Sequence, residues 1–103
     1  MSDKDFSEKL KQVENVSNIF EVVKKARQLY GNDVKIGLST RKNNKFMIFN
    51  PNTNQFIHFG NLNYEDYTKH KDEERRKRFQ IRNHKWASAP KYSARYMAYY
   101  ILW

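Results

Sequence analysis

Lys71, Arg75, Arg78, Arg82 and Lys85 follow one another at intervals of 4, 3, 4 and 3 residues, and residues three and four apart are neighbours on a helix surface. Read as a helix, this segment carries one continuous cationic stripe. Such a stripe can follow a row of phosphates, because each contact releases counterions condensed on a nucleic-acid backbone. The line expected on the opposite side, Asp72, Arg76, Phe79, Asn83 and Trp86, holds two rings that would anchor the helix to the body. Rings also adjoin cations at Lys85-Trp86, Lys91-Tyr92 and Arg95-Tyr96, a pattern able to stack bases beside phosphate contacts. A Tyr and Trp series at helical spacing more often builds a core than a ligand site. Phe79, Trp86, Tyr96 and Trp103 are therefore expected to be buried and to serve the fold first.

Residue types that carry catalysis are present without the spacing it needs. His58, His70 and His84 include no pair four residues apart, and no neighbouring pattern completes a metal shell. A hairpin bearing His58 ahead of a helix ending near Asn83 and His84 has the order of a ββα-metal nuclease but lacks its second ligand. The adjacent carboxylates Glu65 and Asp66, with Lys69 and Lys71 close by, suit helix capping or lysine pairing better than acid–base work. Ser39-Thr40-Arg41-Lys42 has no glycine-rich phosphate cradle, and no dinucleotide fingerprint occurs. The sequence contains no cysteine, which excludes disulfides, Cys-ligated zinc and a thiol nucleophile. The expectation is a protein that is not an enzyme and uses no metal or cofactor.

These residues must be held by a small frame. A length of 103 residues fits one domain, since domains most often run to about 100–150 residues. Aromatic residues make up 16% of the chain, which argues against a disordered basic tail. Ile19, Val22, Val23, Ala26, Leu29 and Tyr30 share one helical face. Ser17 or Asn18 can cap its start, with Glu21 completing a capping box, and Gly31-Asn32 can close it. Phe6, Leu10 and Val13 form a second stripe over 5–14, and 5–30 is read as an N-terminal helical addition. The apolar period then drops to two at Val34, Ile36 and Leu38. Two further apolar runs, 46–49 and 55–59, are separated by Arg41-Lys42-Asn43-Asn44 and by Asn50-Pro51-Asn52-Thr53-Asn54, both of turn composition. The prediction is an α+β fold: a three-stranded antiparallel meander over 34–59, packed with N-terminal and C-terminal helices. A loop is expected over 60–67, then a basic and aromatic helical part over 72–103, interrupted at 87–90 and restarted at Ser93.

Charge is distributed unevenly. Residues 1–34 hold six bases and six acids, 35–64 four bases and no acid, 65–74 five acids and two lysines, and 75–103 eight bases and no acid. The formal net charge of +9 therefore lies mainly in the C-terminal third, where an anionic partner should dock. No apolar run approaches the ~20 residues that span a bilayer, and the first residues lack the blocks of a signal peptide, so the chain is expected inside the cell, with no membrane partner.

Phe46-Met47 through Phe56-Ile57-His58-Phe59-Gly60, then Tyr64-Glu65-Asp66-Tyr67-Thr68-Lys69-His70-Lys71-Asp72-Glu73-Glu74-Arg75-Arg76-Lys77-Arg78, and finally Tyr92-Ser93-Ala94 to Tyr99-Tyr100-Ile101-Leu102-Trp103 together resemble a small uncharacterised family of large double-stranded DNA viruses and some tailed phages. The resemblance runs over about 35–103 and leaves the N-terminal helices outside. It implies a viral origin and supplies no activity. With the cationic stripe, it leads to the expectation of a virion-associated or infected-cell protein binding nucleic acid, without sequence preference, through Lys71, Arg75, Arg78, Arg82 and Lys85. The alternative is a capsid-shell structural protein, minor capsid or cement, that meets acidic capsid proteins and no nucleic acid.

Overall fold

Ser2 opens the first helix, α1 (Asp3–Glu14), by accepting a hydrogen bond from the Asp5 N–H at 3.2 Å. Asp3 and Asp5 then lie in the first turn, where the helix dipole favours negative charge. That cap starts the helix two residues earlier than the apolar stripe alone places it. The structure is a computed structural model and describes residues 2–103. Helix α2 (Ile19–Tyr30) is capped by Asn18, whose side chain accepts from the Glu21 N–H, and is closed by Gly31 at a φ of 96°. Only half of the expected capping box forms. The Asn18 N–H goes to Thr68 Oγ1 at 2.9 Å, and the Glu21 carboxylate turns outward to Lys71.

Strands β1 (Ile36–Leu38), β2 (Asn44–Asn50) and β3 (Gln55–Asn61) form an antiparallel sheet in the order β1-β2-β3, so the fold is α+β with the expected meander. Ile36 pairs with Ile48 and Ile48 with Ile57, while Leu38 pairs with Phe46 and Phe46 with Phe59. Directly paired residues share a face, so these six apolar side chains line one side of the sheet. The β2–β3 turn follows its composition: Asn54 adopts a φ of 59°, its N–H donates to the Asn50 carbonyl, and the Asn50 side chain accepts from the Asn52 N–H. Asparagine tolerates that left-handed conformation better than most residues.

The 60–67 segment is more ordered than a loop. β3 runs on to Asn61, and a one-turn helix α3 (Tyr67–His70) follows, capped by Asp66. Next come α4 (Glu73–Arg82), a 3-10 turn (His84–Ser88) and α5 (Ala94–Met97), the last capped by Ser93 and continued by a π-helical turn (Ala98–Leu102). The buried core gathers Val13 of α1, Val22 and Ala26 of α2, Phe46, Ile48 and Phe59 of the sheet, and Met97, Ile101 and Leu102 from the C-terminal end. Both ends of the chain thus close on one face of the sheet.

The expected aromatic core is corrected here. Phe79, Trp86, Tyr96 and Trp103 are half-buried, and the C-terminal residues that reach zero or near-zero exposure are Met97, Ile101 and Leu102. The π turn, closed by a bond from the Trp103 N–H to the Ala98 carbonyl, adds a residue to the repeat. This shifts the helix phase, so that Ile101 and Leu102 both meet the core and the tyrosines move to its margin. Gly60, at a φ of 82°, permits the closure: a Cβ there would stand 3.0 Å from Leu102 Cδ1 and 3.1 Å from the Lys45 side chain.

Candidate nucleic-acid interface

Helix α4 begins where Asp72 caps it, the Asp72 Oδ1 accepting from the N–H groups of Glu74 at 3.0 Å and Arg75 at 3.2 Å. Glu73 and Glu74 in its first turn and Arg82 in its last complement the helix dipole. No residue of α4 is fully buried. The helix is held along one edge. Phe79 stacks on Trp103 with centroids 4.4 Å apart and planes 7° from parallel, and it meets Trp86 edge-on at 5.6 Å. Arg76 donates from Nε to the Trp103 carbonyl at 2.8 Å and lies over the Tyr67 ring at 4.7 Å.

The five-residue cationic stripe is not continuous. Lys71 precedes the cap, at a φ of 54° that no helix continues; it pairs with Glu21 and lies 5.2 Å from the Tyr67 ring centroid. Lys85 belongs to the 3-10 turn and lines a separate hollow with Trp86 and Arg95. Arg75, Arg78 and Arg82 remain together. They line a cleft of about 620 Å³ between α4, the sheet edge and the C-terminal helix, and Arg95 reaches it from α5. Phe79, Trp86 and Trp103 line the same cleft, with Asn43, Asn44 and Asn61 on the sheet side. Rings and arginines therefore share a face, against the expectation of opposite faces. At 100° per residue, Phe79 is only about 40° around the helix from Arg75 and about 60° from Arg82, so it falls within the stripe.

The arginines are differently engaged. Arg78 approaches Glu74 at 3.6 Å with both side chains largely exposed, a pair of the kind worth ~0–1 kcal/mol. Among the described residues, Arg75, Arg82 and Arg95 make no ion pair with a carboxylate. Four guanidiniums outweigh the exposed Glu65 carboxylate in the same lining, Asp66 being already paired with Lys45, so the cleft is net positive and its low-dielectric walls focus that field. Arginine is suited to this, being always charged and able to fork two hydrogen bonds onto a phosphate. The Arg95-Tyr96 pairing hinted at Arg95; the asparagines carried no signal in the sequence.

At the base of the cleft Asp66 both caps a helix and pairs with a lysine, as its setting suggested, although the lysine is Lys45 and not Lys69 or Lys71. Lys45 of β2 is buried, and its Nζ donates to Asp66 Oδ2 at 2.9 Å and to the Val16 carbonyl at 3.4 Å. Ser17 Oγ donates to the same carboxylate oxygen, while the other accepts from the Thr68 N–H at 3.0 Å and from the Thr68 hydroxyl. Burial pulls the Lys45 pKa down, and the charge of Asp66 opposes that pull. One carboxylate thus joins the α1–α2 corner, β2 and α3. Lys9 makes a smaller tie, its Nζ donating to the carbonyls of Arg41, at 2.8 Å, and Asn44.

The histidines occupy three separate environments. His58 Nδ1 lies 2.7 Å from the hydroxyl oxygen of buried Ser39, which also accepts from the Arg41 N–H. His70 Nδ1 accepts from the Asp72 N–H at 2.9 Å, its ring 5.2 Å from that of Trp103. His84 contacts the Ile81 carbonyl. Partial burial lowers the pKa of both His58 and His70, assisted by Arg41 and Lys9 in the first case and by Arg75 in the second. In the unfolded chain both return to about 6.5. The unfolded state then binds more protons, so this contribution to stability is complete above about pH 6.5 and is lost as pH falls through the lower folded values. Thermal melts should show a Tm that falls between neutral pH and about pH 5. A His58→Gln, His70→Gln double variant should lose most of that dependence, and an unchanged slope would assign it to other groups.

Residues 34–83 match the model of a family described as a family of unknown function (DUF5754). The matched stretch holds the three strands, α3 and α4; α1, α2 and the 92–103 ending, which the resemblance had included, lie outside it. No curated protein and no solved structure matches the chain.

Proposed function

We propose that this chain is a non-enzymatic viral protein that binds nucleic acid through phosphate contacts, without sequence preference, in the virion or the interior of the infected cell. The observation that carries the binding role is the convergence of Arg75, Arg78, Arg82 and Arg95 on one aromatic-lined cleft, three of them without an ion-paired carboxylate among the described residues. The viral setting rests on the motif resemblance. Lys71 and Lys85 become peripheral contacts, Lys71 because Glu21 already neutralises it. A capsid-shell role, with protein partners only, is favoured by one observation: Phe20 and Ile81, at 81% and 74% exposure, present apolar surface to solvent.

Salt separates the two readings. In fluorescence anisotropy with labelled oligonucleotides, the logarithm of the affinity should fall linearly with the logarithm of salt concentration, by about 0.9 per phosphate on duplex and about 0.7 on a single strand. Four contacts give a slope of about −3 to −4. No binding at low salt, or an affinity indifferent to salt, would contradict the phosphate reading and favour the capsid-shell one.

A further inference from the structure

We infer that the cleft takes unpaired nucleotides, so that the protein prefers single-stranded nucleic acid to duplex. This inference rests on the phosphate-binding reading above. A helix that reads duplex DNA enters a major groove about 12 Å wide and must present its contact residues outward. Here Arg75, Arg78 and Arg82 line a concavity, Arg78 and Arg82 at its exposed rim, and Phe79 beside them is stacked against Trp103. The cationic face borders a hollow that also contains rings. It is one wall of a trough.

The cleft's contents fit a splayed strand. Its volume of about 620 Å³ is that of a site for a compact organic ligand, enough for about one or two nucleotides. Trp86 and Trp103 are half-buried, so both keep ring surface toward the cleft. An unpaired base can stack on such a ring, whereas a duplex has its base faces already occupied. Arginines beside the rings meet the adjoining phosphates, and Asn43 across the cleft offers an amide to a base edge. Trp86 is the stacking residue best suited to a test, because it lies outside the buried core and meets Phe79 only edge-on.

The experiment compares a labelled oligothymidylate with a duplex of equal length at one low salt concentration, using wild type, Trp86→Leu and Trp86→Phe, each checked for folding by circular dichroism. Wild type should bind the single strand at least about tenfold tighter, the span of one stacked base being about 5- to 150-fold. Trp86→Leu should lose most of that preference with little change on duplex, and Trp86→Phe should recover much of it. Equal affinity for both substrates with a steep salt slope would overturn this inference and leave the phosphate reading intact. No binding to either substrate would overturn both. A single-strand preference that Trp86→Leu retains would overturn the placement of the base at Trp86.

Discussion

Asp66→Ala should unfold the protein or bring it close to unfolding. The substitution leaves the Lys45 ammonium, at 2% side-chain exposure, without its counter-charge in a site water scarcely reaches. Breaking one side of a buried ion pair typically costs ~3–5 kcal/mol, and removal of the α3 cap adds about 1 kcal/mol. A small domain has a total stability of ~5–15 kcal/mol, so most of it is at stake. The Ser17, Thr68 and Val16 links to this carboxylate or its lysine would fail together. Lys45→Met combined with Asp66→Asn should recover much of the loss, since no charge is then stranded and the amide can still accept from Thr68. Urea unfolding of the three proteins measures this. An Asp66→Ala midpoint equal to wild type would show that Lys45 is not held as described.

The sheet was legible because its signal is local. Ile36 and Leu38, Phe46 and Ile48, and Ile57 and Phe59 each alternate with residues of the other face, and asparagine-rich segments mark both turns. Asn18 and Ser93 announced two helix starts through their own chemistry. Lys45 was illegible for the converse reason: a lysine in a strand reads as surface, and the partner that makes its burial tolerable lies 21 residues away. Helix α3 has four residues and no room for an apolar period; it exists because Asp66 is fixed by Lys45 and Ser17. The C-terminal phase was lost to the π turn, although Met97 and Ile101, four apart, already marked the buried side.

The cleft was half legible. Spacing did put Arg75, Arg78 and Arg82 together, and the Arg95-Tyr96 pair was visible. The run of helix formers over 72–83 coincides with the span from cap to cap, Asp72 to Asn83, so Lys71 and Lys85 fall outside the helix. Phe79 and Trp86 marked the edge by which α4 docks; no local pattern could show that its arginines would line the same cleft as those rings.

The second large effect concerns these arginines. Arg78→Glu combined with Arg82→Glu changes the charge of the cleft by four, whereas neither side chain contributes to the buried core. Two lost phosphate contacts remove about two units of salt slope on duplex, and two new carboxylates repel the strand from the same site. Binding at low salt should fall by at least about a hundredfold, because a charge-assisted bond is worth ~1.5–3 kcal/mol. Folding should persist, with only a small cost from setting a new carboxylate one helical turn after that of Glu74.

A basic protein binds polyanions weakly through its net charge alone, so the deciding measurement compares two variants of equal charge. Arg78→Glu/Arg82→Glu alters the cleft, and Lys24→Glu/Arg27→Glu makes the same change on the exposed surface of α2, outside the cleft. Anisotropy titrations against one oligonucleotide across a salt series give the slope for each. Loss of affinity and of about two units of slope in the cleft variant, with a near wild-type α2 variant, is the predicted result. Equal losses in both variants, or no loss in the cleft variant, would contradict the assignment of binding to the α4 cleft.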